Sequence, residues 1–128
     1  MAISLNVDLR NLRANQIRDF AGGLAVLRLY TAAYGTLLSQ NICNAVFAPD
    51  AAGAVLTLNA IADANAVGSG DAAIARILQT DETTLVMEGL TVSDSLGVGN
   101  LKLDQIGTTI SAGQVVTVVS LAMTEGNA

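Results

Sequence analysis

Two pairs of carboxylates are the first candidates for chemistry in this chain: Asp81 beside Glu82, and Asp63 with Asp71 on either side of a run of small residues. Two carboxyl groups can drive hydrolysis when one is kept protonated and the other ionised. Asp81 and Glu82 lie within Thr80-Asp81-Glu82-Thr83, a turn signature, so both are expected on a solvated turn where nothing separates their acidities. Asp63 and Asp71 could lend oxygen ligands to calcium from a loop. Their spacing does not match the D-x-[DN]-x-[DN]-G calcium pattern, so no metal is expected there. Gly68-Ser69-Gly70 is too short to cradle a phosphate and no lysine follows it. Gly97-Val98-Gly99-Asn100 lacks the strand-to-helix context of a dinucleotide site.

Histidine is absent, which removes the commonest general base near neutral pH and every Ser-His or Cys-His nucleophile arrangement. The single cysteine, Cys43, cannot build a zinc site or an internal disulfide. It stands in the apolar run Ile42 to Phe47 with no cationic neighbour in sequence, so it reads as a small core residue. Tryptophan is absent, and Phe20, Tyr30, Tyr34 and Phe47 are the only aromatics, too few for a carbohydrate platform or a base-stacking surface. The expectation is a chain with no catalytic residues, no cofactor and no metal.

The elements that position these residues read as one helix followed by strands. In Asp8 to Phe20, Leu9, Leu12, Gln16, Ile17 and Phe20 recur at helical spacing and predict one packing face. Asn6 or Asp8 can cap this helix, and Gly22-Gly23 stops it. From Leu24 the period becomes two. Leu24 to Thr31 predicts a strand with Leu27 and Leu29 on one side and Arg28 and Tyr30 on the other. Leu37 to Phe47 and Gly53 to Ile61 predict further strands, with Asp63 to Asp71 as a loop. Ala72 to Gln79 and Thr84 to Leu90 read as a hairpin around the acidic turn. A brief strand in Thr91 to Gly99, and strands in Leu101 to Asp104, Ile106 to Ile110 and Gln114 to Thr124, complete the pattern. Short strands at this spacing predict a mainly β fold, a single jelly-roll-like β-sandwich with a short N-terminal helix. Residues 1–23 form an arm and helix and residues 24–128 the sandwich, within one compact domain.

Composition points to what such a domain is for. Apolar residues make up 52% of the chain and charged residues 13%, half the globular average of about 25%. Apolar side chains in that excess are expected to spill onto the surface, where large apolar patches mark interaction sites. Net charge is −5, which argues against nucleic acid. No apolar run approaches the ~18 residues of a membrane span, and Met1 to Asp8 has neither the basic nor the apolar region of a signal peptide. Arg10, Arg13 and Arg18 are half of the six basic residues, whereas beyond Gly23 three basic residues face nine acidic ones. The N-terminal segment is therefore chemically distinct. Leu5, Leu9, Arg10, Leu12 and Arg13, together with Asp81 and Glu82 at the hairpin tip, are the expected interface residues. Met1 to Asn6 is apolar enough to add a strand to a neighbour.

Three stretches, LRLYTAAYGTLL, LTLNAIADANAVGSGDAAIARILQTDETTLVMEGLTV and LDQIGTTISAGQVVTVVSLAMTEGN, resemble a family of small proteins encoded among the head genes of tailed bacteriophages. Matching positions are Tyr30 and Thr31; Asn59, Ala60 and Ile61; Asp81; and Ile110 to Gln114. The chain departs from that pattern at Ala75 and Ile77, where relatives often carry an aromatic residue, and at Ala32 to Gly35, where they are often proline-rich. The resemblance implies a virion structural role, made in the host bacterial cytoplasm and located in the capsid. The expected function is a decoration or cement protein that binds the assembled major capsid protein and self-associates on the shell. A tail, neck or baseplate component of the same virion is the alternative within that class. A host-surface carbohydrate- or ion-binding module is the alternative outside it.

Overall fold

In the computed structural model, which describes residues 5–124, Asn6 starts the chain's helix α1 (Val7–Ala21). The Asn6 side-chain oxygen accepts from the Asp8 N–H at 2.7 Å, satisfying one of the helix's unpaired N-terminal donors. Asp8 in the first turn and Arg18 in the last complement the helix dipole. Gly22, at φ 71°, ends the helix and returns its N–H to the Arg18 carbonyl.

The helix lies where the spacing predicts, but it packs through a different face. Ala14 and Ala21 are buried and Ile17 is half-buried against the core, whereas Leu9, Leu12 and Phe20 are 46%, 62% and 53% exposed. Two asparagines explain the rotation. Asn11 accepts from the Ala54 N–H and Asn15 from the Ala51 N–H, both at 2.7 Å. Asn11, Ala14, Asn15, Arg18 and Ala21 make a stripe at helical spacing. Its alanines let the helix backbone approach the 51–54 loop closely enough for those bonds, which leucines would hold off. Arg18 adds an ion pair with Asp50.

The strands are β1 (Val26–Tyr30), β2 (Leu37–Ile42), β3 (Val55–Thr57), β4 (Ala64–Asn65), β5 (Gly70–Asp71), β6 (Ile74–Leu78), β7 (Leu85–Ser93), β8 (Leu101–Leu103), β9 (Thr109–Ile110), β10 (Val115–Val116) and β11 (Val118–Thr124). Seven of them form a curled sheet in the order β2-β1-β6-β7-β8-β11-β3, antiparallel except for the β7–β8 pair. β4 with β10 and β5 with β9 form two short ribbons. The protein is thus a mainly β, sandwich-like domain with one N-terminal helix, as the period change after Leu24 predicts.

β1 shows why the pattern works. Leu27 and Leu29 pair with Ile77 and Ala75 of β6 and are fully buried, while Arg28 and Tyr30 pair with Arg76 and Ile74 on the outer face. Leu38, Leu56, Leu90, Leu101, Leu103 and Leu121 from the sheet meet Ala14 and Ala21 from α1 and Ile110 and Val116 from the ribbons in one core. Helix and ribbons therefore cover the inner face of the sheet.

Part of each sheet edge is covered by the chain itself. On β2, the carbonyls of Leu38 and Ile42 accept from Val67 and Ala62, and the buried Asn41 side chain donates to the carbonyls of Ala62 and Val116 at 3.0 and 3.1 Å. On β3, Val55 exchanges hydrogen bonds with Ala52. Covered edges of this kind block strand addition by a neighbour. The expected strand addition by Met1 to Asn6 falls mostly on residues outside those described.

Four strand expectations change. The Asp63–Asp71 loop carries β4 and β5, because its backbone pairs with strands more than thirty residues away. Gln114 to Thr124 is two strands in different sheets, β10 and β11, rather than one. Thr91 to Gly99 has no separate strand: β7 runs on to Ser93 and a loop follows. Ile106 belongs to a loop, leaving only Thr109–Ile110 as β9.

Candidate functional site

The outer stripe of α1 is the first surface with unused apolar area. Leu9, Leu12, Gln16 and Phe20 follow one another at helical spacing and face outward because the Asn11–Ala14–Asn15 stripe faces in. Where α1 passes the start of β7, Arg13, Gln16, Ile17, Phe20 and Val86 line an open groove of about 470 Å³. Gln79 ties the helix end to this region by donating to the Phe20 carbonyl at 2.7 Å. Val86 turns toward the helix because β7 is irregular there: Ile77 pairs with Met87 and Leu78 with Leu85, leaving Val86 without a register partner.

A second surface lies at the far end of β7. The loops 94–100 and 104–108 present Leu96, Val98 and Ile106, which are 79%, 98% and 76% exposed. These loops are bound to each other. Asp94 accepts from the N–H groups of Leu96 at 3.0 Å and Gly107 at 2.9 Å, which holds its carboxyl below the ordinary aspartate range, the Gly107 bond contributing most. The Ser95 N–H donates to the Gln105 carbonyl, and Gln105 donates to the carbonyls of Gly107 and Thr109. Gly99 permits the close fold, since a Cβ there would stand 2.8 Å from the Ser93 nitrogen and 2.9 Å from the Thr91 carbonyl oxygen. The three aliphatic side chains thus ride on a hydrogen-bonded support.

The outer face of the sheet is the third surface, and it is polar. Arg28 donates to Gln40 at 2.8 Å and to Glu82 at 3.0 Å. Arg76 stacks on the Tyr34 ring at 4.0 Å and faces the Tyr30 ring at 5.2 Å, with its Nη2 3.8 Å from Glu88. Its Nε is buried and makes no hydrogen bond, and cation–π attraction offsets part of that cost. The Tyr34 hydroxyl accepts from the Gly89 N–H at 2.6 Å. These contacts engage Arg28, Gln40, Glu82, Arg76, Glu88 and Tyr34 with one another and with the backbone across the face.

The expected interface residues do not converge on one patch. Leu9 and Leu12 are exposed on the first half of α1, Arg10 and Arg13 are half-buried on the same helix, and Leu5 is half-buried just before it. Asp81 and Glu82 lie on the β6–β7 turn. There Asp81 accepts from Thr83 and Thr84, including the Thr84 hydroxyl at 2.6 Å, and these bonds, led by that of the Thr84 hydroxyl, lower its carboxyl to about 2. Glu82 bends away from Asp81, reaching Arg28 and Gln40. Sequence reasoning missed Phe20 and Val86 as groove walls, and Leu96, Val98 and Ile106 altogether. Their signal was aliphatic residues set singly among glycines and polar residues, where no core strand would place them. Asp71 accepts from the Thr109 hydroxyl at 2.7 Å, a ribbon contact across from Asp63's loop. Among the described residues no group of three or more acidic, cysteine or histidine side chains could hold a metal ion, and no helix is long and apolar enough to cross a membrane. Cys43 is buried, and burial pushes its thiol up to about 12.

Comparison with protein-family models, curated proteins and solved structures returns no match for this chain.

Proposed function

We propose that this chain is a structural subunit of a tailed-bacteriophage virion, a decoration or cement protein that binds the assembled lattice of the major capsid protein and stabilises the head. The observation that carries the reading is apolar surface held outward: Leu12 and Phe20 on α1, and Leu96, Val98 and Ile106 on the hydrogen-bonded loops. Apolar side chains exposed to this degree cost solubility unless a partner covers them. The polar groups that could do chemistry are instead engaged in turns, ribbons and sheet contacts. A subunit that binds only the assembled shell shifts assembly toward that shell by mass action, and many copies bridging neighbours add avidity.

Counting copies in purified particles tests the reading. A lattice-matched number supports it, and Leu12→Asp with Phe20→Asp, or Arg10→Glu with Arg13→Glu, should strip the chain from particles. A count of only about six or twelve, the symmetry of a portal or tail ring, places the chain in the tail or neck instead.

A further inference from the structure

We draw no further inference here: the strongest candidate, the open groove between α1 and the start of β7 walled by Ile17, Phe20 and Val86, is an unpartnered apolar surface, and nothing in the structure shows what covers it.

Discussion

Arg28 on β1 donates to Glu82 at 3.0 Å across 54 residues of sequence, and Gln40 on β2 donates to the same carboxylate oxygen at 3.1 Å. The acidic tip of the β6–β7 hairpin is thereby folded onto the outer face of two neighbouring strands. Glu82 takes a left-handed backbone, φ 62°, to make that turn. The pair and the strain oppose each other, which gives the first prediction. Glu82→Ala loses the contacts and keeps the strain, whereas Glu82→Gly loses the contacts and relieves it. An exposed ion pair contributes about 0.5 kcal/mol, so Glu82→Gly should lie close to wild type. Glu82→Ala should be the less stable of the two by about 1 kcal/mol. Urea unfolding of both variants measures the order, and the reverse order would show that the turn stores no strain.

Asn41 is a polar residue placed where a leucine would otherwise complete the core. Its amide closes the β2 edge onto the carbonyls of Ala62 and Val116, and its oxygen accepts from Ser39. Asn41→Ala strands these buried groups together and should cost about 3 kcal/mol. The loss should appear first as faster amide exchange at Ala62 and Val67, where the covering segment leaves the edge. Slow exchange there in the variant would argue that the segment is held by other contacts.

The packing face of α1 can be tested by exchanging sizes. Ala14→Leu forces a large side chain between the helix and the 51–54 loop and should cost about 2 kcal/mol. Leu12→Ser removes a larger apolar group, yet it should change stability by less than about 0.5 kcal/mol because the residue is exposed. Thermal melts compare them, and the two swapping places would return the packing face to the leucine stripe.

Acid should open the hairpin tip before it unfolds the domain. The Asp81 carboxyl is lowered from 3.8 to about 2 by hydrogen bonds from Thr84 and Thr83 to its ionised form. A carboxyl depressed in the folded state contributes stability above its unfolded value and loses it as pH falls through the folded one. The contribution is complete above about pH 4 and fades toward about pH 2. Asp94 works in the same direction at the tip loops. Amide chemical shifts of Thr83 and Thr84 followed through that window should move together with Asp81. Shifts that move near pH 4 instead would show the bonds to be absent in solution.

Cys43 should be silent in the native protein. Its thiol is buried and pushed up to about 12, so almost no thiolate exists at neutral pH. A thiol reagent should label it only after denaturant is added, and prompt labelling of the folded chain would place the residue at the surface.

What the sequence determined alone was local. An asparagine cap, a glycine stop and the change from helical to alternating spacing were enough for α1, for the facing of Leu27 and Leu29, and for the hairpin of β6 and β7, because each depends on backbone preferences and side-chain period within a few residues. The absence of histidine and of a second cysteine was equally plain without coordinates. Tertiary structure decided which stripe of α1 faces inward, because Asn11 and Asn15 find their partners at Ala54 and Ala51, far along the chain. It also decided that Gln114 to Thr124 divides between two sheets, and that Leu96 and Ile106 share one hydrogen-bonded tip through Asp94 and Gly107. Pairing across such separations is set by the competition of every segment for the same core, and no short window of sequence contains that competition.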